Sequence, residues 1–231
     1  MMTPLSNKQF LSLRQNALLI EEDHCGEKVL ELSDGSFLKL FRRKRLVTSE
    51  LYRPYAERFA ANASQLTELH IPCPKIIATY RIKSIKRTAV HYWPLPGSTL
   101  RQVLQNLECK EIEDTCHALG SFIAGLHDAG VYFRSLHLGN IVACEDDSFG
   151  LIDIADMKIS AHPLSAGMRK RNFQHLFRYR KDIAALALGS AHLVDGYCQN
   201  LPHNDKQHFT ELLNKLLHET NKTHVQQEQS Q

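Results

Sequence analysis

The first part of the chain consists of short apolar runs separated by turn residues. In the rest, apolar positions return every third or fourth residue. "NALLIEED" (16–23), "EKVLELSDG" (27–35) and "SFLKLFRRK" (36–44) predict three strands, with Asp34–Gly35 as the hairpin signal between the second and third. "ELYRPYAERFAANASQLTEL" (50–69) carries Leu51, Tyr55, Phe59, Leu66 and Leu69 at helical spacing, with Pro54 expected in its first turn. "IPCPKII" breaks that helix, and "ATYRIKS" with "RTAVHYW" predicts another hairpin. The turn cluster "PLPG" (94–97) is a hinge candidate.

Helices dominate after the hinge. "STLRQVLQNL" has Ser98 as its expected N-cap. "EIEDTCHALGSFIAGLHDAG" lines up Ile112, Cys116, Leu119, Ile123 and Leu126, with Gly130 as the stop. "NIVAC" and "GLIDIAD" predict short strands around an "EDDSFG" turn. "RKRNFQHLFRY", "KDIAALALGSAHLVDGY" and "KQHFTELLNKLLHET" predict three more helices. Strands first and helices second imply a segregated α+β architecture in two lobes. The expected division is a lobe over 1–93, the hinge over 94–97 and a helical lobe over 98–220. The polar tail, 221–231, is expected to be disordered.

Composition narrows the class. With 231 residues, 43% of them hydrophobic, the chain can bury an ordinary core. A net charge of +3 does not by itself imply nucleic acid, and no nucleic-acid module is visible. Cys25, Cys73, Cys109, Cys116, Cys144 and Cys198 form no CxxC pair, which argues against a zinc ribbon or a disulfide-stapled secreted domain and suits a reducing cytoplasm. The N-terminus lacks the pattern of a signal peptide, and "IAALALGSAHLV" (183–194) is too short to span a bilayer. A cytoplasmic protein is expected. The basic clusters "RRKR" (42–45), "RKR" (169–171) and "RYRK" (178–181) read as solvated faces or as contacts to a phosphorylated glycolipid at the inner-membrane surface.

Three residues stand in an informative order. Lys39 lies among apolar neighbours in "FLKLF"; it either points into a cleft towards phosphate or lies on the solvated face of a half-buried strand. Asn140 follows a "GN" turn and Asp153 follows apolar "GLI". An amide and a carboxylate so placed either share a magnesium ion that bridges nucleotide phosphates, or cap a turn and end a strand.

"LGSFIAGLHDAGVYFRSLHLGNIV" and "FGLIDIAD" give the chain a family likeness: it resembles the protein-kinase-like superfamily. In particular it is similar to bacterial lipopolysaccharide core-sugar kinases and toluene tolerance proteins, and more distantly to aminoglycoside phosphotransferases. The first segment matches their helix, catalytic loop and following strand; the second matches the strand ending in the metal-binding aspartate. "VHYWPLPGSTLRQVL" matches the hinge and "FLKLF" the lysine strand. Asn140 and Asp153 are thirteen positions apart, as the two metal ligands typically are. The resemblance implies a two-lobed kinase-like fold, with a small antiparallel-sheet N-lobe and a helical C-lobe. It implies ATP and Mg2+ as cofactors and a lipopolysaccharide core sugar as phosphoryl acceptor. Lys39 would hold the α- and β-phosphates, Asn140 and Asp153 would hold magnesium, and Tyr92, Pro94 and Leu95 would meet adenine. Glu57, or Glu50, would be the acid that partners Lys39.

Ser135, in "YFRSLHLGN", departs from this pattern. Active relatives have an aspartate there to accept or orient the proton of the attacking hydroxyl, and a serine hydroxyl is a very poor base. His137 is the alternative catalytic group, since an unperturbed imidazole titrates near ~6.5; its other reading is structural support. Asp156 either orients substrate or metal or caps the next turn. No GxGxxG precedes Lys39, and only Gly26 is placed at a hairpin tip. Two functions follow: an ATP- and magnesium-dependent phosphotransferase, or a pseudokinase, a nucleotide-binding or nucleotide-free scaffold that regulates envelope assembly. A small-molecule kinase of the aminoglycoside type is a third.

Overall fold

The computed structural model describes residues 2–24, 26–42 and 54–228. It is α+β, with a mixed sheet and eight α-helices among the described residues. The chain divides into two units: Met1–Pro96 with Leu151–Asp156, and Gly97–Gly150 with Met157–Gln231.

A six-stranded sheet organises the first unit. Its spatial order is β1 (Thr3–Pro4), β5 (Lys75–Ile82), β6 (Arg87–Trp93), β4 (Phe37–Arg42), β3 (Gly26–Glu31) and β2 (Leu18–Asp23). β1 runs parallel to β5 and every other neighbour is antiparallel, so the sheet is mixed where a purely antiparallel one was expected. The physical reason is helix α1 (Asn7–Arg14), which separates β1 from β2 and carries β1 to the far edge. α1 has a capping box in which Ser6 and Gln9 satisfy each other's backbone, a signal legible in the sequence that the strand reading passed over. The Asp34–Gly35 hairpin forms as its residues dictate. Gly35 takes φ +83°, and Asp34 Oδ1 accepts the backbone N–H (2.9 Å) and hydroxyl (2.5 Å) of Ser36.

Alternation along β4 sorts the two faces. Leu38 and Leu40 join Leu5, Phe10, Leu30 and Ile82 in a core under α1. Phe37, Lys39 and Phe41 therefore point the other way, towards helix α2 (Tyr55–Glu68), where Phe59 packs against Phe41 and Tyr92. Pro54 is the N-cap of α2 and not a first-turn residue. Residues 43–53, including Glu50 and most of "RRKR", lie outside the described residues.

Helix α4 (Cys109–Asp128) is central to the second unit, and its five predicted stripe residues are all buried. Before it, Thr99 rather than Ser98 caps α3 (Leu100–Val103), because Ser98 and Thr99 are drawn into β7, paired with β9 (Ile141–Ala143). β9 also joins β10 (Phe149–Leu151), and β8 (Val131–Phe133) pairs with β11 (Met157–Ile159), so strands recur among the helices. The strand expected over "GLIDIAD" ends at Leu151; Ile154–Asp156 is a 3-10 turn.

Helices α5 (Ala166–Leu176), α6 (Arg180–Leu186), α7 (Ser190–Cys198) and α8 (His203–Glu228) complete the unit. The helix expected over 181–197 is split at Gly189, where a Cβ would sit 2.4 Å from Cys116 Sγ. α8 continues to Glu228, into the stretch where a polar composition predicted disorder. The eight residues from Asn221 hold no Gly or Pro, so a helix nucleated upstream can propagate through them.

Gly120 on α4 and Gly196 on α7 let the two helices touch through backbone. A Cβ on Gly120 would lie 2.1 Å from Leu193 O, and one on Gly196 would lie 2.0 Å from His117 O. Gly120→Ala is expected to destabilise the protein by about 1–3 kcal/mol through forced separation. Gly125→Ala, on the same helix but facing open space, is expected to stabilise it by up to about 1 kcal/mol. Urea denaturation of both variants checks the opposite signs.

Candidate nucleotide site and catalytic-type loop

Strand β4 buries Lys39 between Val29 on β3 and Val90 on β6, leaving it 8% exposed. This removes the solvated-strand alternative. A buried ammonium needs a counter-charge, and Lys39 Nζ lies 2.7 Å from Asp153 Oδ1. Asp153 is about half-exposed (47%), so the carboxylate keeps access to solvent and to ligands.

Two contacts hold the segment that carries Asp153. Leu151 N–H donates to Pro72 O (2.9 Å), and the buried Asn62 amide of α2 donates to Ile154 O (2.6 Å). Asp153 itself has φ +53°. The other non-glycine residues at positive φ, His70, Lys86 and Asp147, stand at turns that end a helix or join strands. An aspartate tolerates this region better than most residues, and strain retained beside a buried lysine points to a functional constraint. Glu57 lies in the first turn of α2; among the described residues the ion pair of Lys39 is made with Asp153.

Tyr92 is 8% exposed and packs on Phe37 and Phe59. Burial, with the charge of Asp153 second, pushes its hydroxyl well above the usual phenol range, so it stays neutral. Its backbone is flanked by Phe37 and Ile76 inside the sheet. Pro94 and Leu95 lie beyond the last ladder pair, and among the described residues no backbone partner takes the Pro94 carbonyl or either Leu95 backbone group. Proline lacks an N–H, so the N–H available here is that of Leu95.

The loop 134–140 belongs to the second unit. Its Asn140 is buried, and its Nδ2 donates to Ser135 O (2.9 Å), which leaves the carbonyl Oδ1 for other use. The Ser135 hydroxyl has no hydrogen-bond partner among the described residues. His137 Nδ1 accepts the backbone N–H of Gly139 (3.1 Å), and Arg101 Nη2 approaches the same nitrogen at 3.5 Å. Both neighbours are donors, so the neutral ring carries its proton on Nε2. That tautomer has its lone pair on Nδ1, where the Gly139 N–H engages it.

Arg101 and Asp182 brace this loop, and neither was singled out in the sequence. Asp182 is fully buried and meets Arg101 through two bonds, Nε–Oδ1 at 2.6 Å and Nη2–Oδ2 at 2.9 Å. The pairing raises the Arg101 pKa further, with the hydrogen bond to Asp182 as the main cause. Asp182 Oδ2 also accepts the N–H of Leu138 (3.2 Å), whose carbonyl accepts the N–H of Arg101 (3.2 Å). Tyr179 sets its ring edge-on to His137, centroids 5.1 Å apart.

Lys39 and Asp153 thus meet in the first unit, which also carries Tyr92, Pro94 and Leu95, while Ser135, His137 and Asn140 share the loop of the second. Among the described residues, no cluster of three or more His, Cys, Asp or Glu side chains forms a metal cage. Magnesium does not need one, because it keeps several waters and binds through one or two protein oxygens plus phosphates. Asp153 in the first unit and Asn140 in the second each carry a hard oxygen of the kind magnesium favours. No described helix is long and apolar enough to cross a membrane. The sequence matches no protein-family model and no curated protein.

Proposed function

We propose that the chain is a kinase-like protein of two lobes that binds Mg–ATP and acts in phosphoryl transfer to a lipopolysaccharide core sugar. One observation carries the reading: a buried strand lysine paired at 2.7 Å with an aspartate held at positive φ. Lys39 would neutralise nucleotide phosphates, and the free backbone groups of Pro94 and Leu95 would meet the base edge. The family resemblance gives Asn140 and Asp153 each the part of a magnesium ligand, and that ion would supply charge neutralisation on the transferring phosphoryl group. The reading places the protein in the cytoplasm, at the inner-membrane surface where such acceptors are presented.

A second reading, a pseudokinase, rests on Ser135 and on the His137 tautomer. Position 135 offers no carboxylate, and the Nδ1 lone pair of His137 is already engaged by the Gly139 N–H. Positioning and metal charge still support slow transfer without a base.

Thermal unfolding with Mg–ATP separates the readings. A ligand held only by the folded state at 100 times its Kd adds about 2.7 kcal/mol, a clear rise in Tm. The wild type is expected to show that rise, and Asp153→Ala and Lys39→Met to lose it relative to their own ligand-free midpoints. Labelled phosphate appearing on purified core oligosaccharide supports the enzyme; binding without transfer, with activity gained by Ser135→Asp, supports the pseudokinase. A wild type indifferent to Mg–ATP removes the enzyme and the nucleotide-binding pseudokinase and leaves a nucleotide-free scaffold.

A further inference from the structure

The stretch from β11 to α6, Met157–Leu186, contains seven Lys/Arg and one acid, Asp182, a net +6. The whole chain has 28 Lys/Arg against 25 Asp/Glu, so all other residues together carry −3. Charge is therefore segregated, and the proposed nucleotide chemistry uses none of it. Arg169 is buried against Asp128 (2.6 Å), and Asp182 is consumed by Arg101. Lys158, Lys170, Arg171, Arg178 and Lys181 are exposed, and none has an acidic partner among the described residues.

These cations lie along one connected surface of the second unit. Lys158 stands opposite Tyr132 in the β8–β11 ladder, and the Tyr132 hydroxyl is 3.3 Å from His175 Nε2 on α5. α5 turns Arg169, Asn172, Phe173 and Leu176 inward, so Lys170 and Arg171 face outward. Beyond its end, Arg178 lies over the half-exposed ring of Tyr179, 5.9 Å from the centroid, and Lys181 follows on α6. An amphipathic tyrosine among unpaired cations matches the interfacial zone of an anionic bilayer, and clusters of this size read as anionic-lipid contacts.

We propose that this face docks the protein on an anionic phospholipid surface. The docking needs no nucleotide and stands apart from the function proposed above. Co-sedimentation with phosphatidylcholine vesicles, with and without phosphatidylglycerol, tests it. The wild type is expected to bind only the anionic vesicles and to be released by salt. Removing four cations together, Lys170→Gln, Arg171→Gln, Arg178→Gln and Lys181→Gln, is expected to weaken that partition about a thousand-fold, with Tm unchanged. A matched variant of the first unit, Lys8→Gln, Lys75→Gln, Arg81→Gln and Lys83→Gln, is expected to bind as the wild type does. Failure of the wild type to bind, or equal loss in both variants, overturns the proposal. So does equally tight capture of duplex DNA or heparin at the same salt, which would make the face an unselective polyanion site.

Discussion

Asp182→Ala is expected to lower the free energy of unfolding by about 3–5 kcal/mol, the cost of leaving a largely buried guanidinium without its partner. Asp182 satisfies two donors of Arg101 and the Leu138 N–H at once, so no other group can take over its bonds. The loss is local as well as global. With the carboxylate gone, the Leu138 amide has no acceptor, and its hydrogen exchange is expected to accelerate more than that of the core of α4. Arg101→Met alone strands a buried carboxylate and is expected to be comparably damaging. The double variant, Arg101→Met with Asp182→Leu, is expected to lie nearer the wild type than either single change, because apolar contact replaces a pair whose burial was itself costly. Urea denaturation of the four proteins gives the coupling energy. A cost below about 1 kcal/mol for Asp182→Ala would mark the pair as an exposed one and release the loop from it.

Why Asp182 escaped notice says what sequence can carry. In "RYRKDIAAL" it reads as an acid in the first turn of a helix, a common and exposed position; only the path of the chain brings Arg101 and Leu138 to it. The same limit hid Asn62, whose amide reaches Ile154 across a long sequence separation. Local signals fared better. The Asp34–Gly35 hairpin, the α4 stripe ending before Gly130 (φ +76°) and the strand alternation around Lys39 each follow from residues close in sequence. Partner choice does not: Glu57 was the expected acid for Lys39, and the chain supplies Asp153 from a distant segment. Capping boxes at Ser6 and Thr99 were legible in the residues and were missed.

Acid is expected to remove about 3 kcal/mol of stability through one histidine, His127. It is fully buried and held at both ring nitrogens: Nδ1 is 3.0 Å from the Tyr197 hydroxyl and Nε2 is 3.1 Å from Asn172 Oδ1. The network fixes its own polarity. Asn172 Nδ2 donates to Phe133 O (2.6 Å), so Asn172 Oδ1 accepts from Nε2–H. Arg169 Nη1 donates to the Tyr197 oxygen (3.2 Å), leaving that hydroxyl's proton for Nδ1. A second proton on the ring would face an oxygen already engaged by a cation. Burial above all, with the Arg169 charge reinforcing it and the Asn172 bond opposing it, brings the His127 pKa down from 6.5 to about 4. The unfolded chain therefore binds the proton first. Stability is full above pH 6.5, falls as pH drops towards about 4 and levels off below. Urea denaturation across that window should show the step in the wild type and not in His127→Gln, while slopes from surface carboxylates remain in both. Phe133 O, the last acceptor in the network, also receives the N–H of Leu136 at the start of the loop. Protonation at His127 thus loosens the ground on which Ser135, His137 and Asn140 stand, and hydrogen exchange at Leu136 is expected to rise through the same pH window.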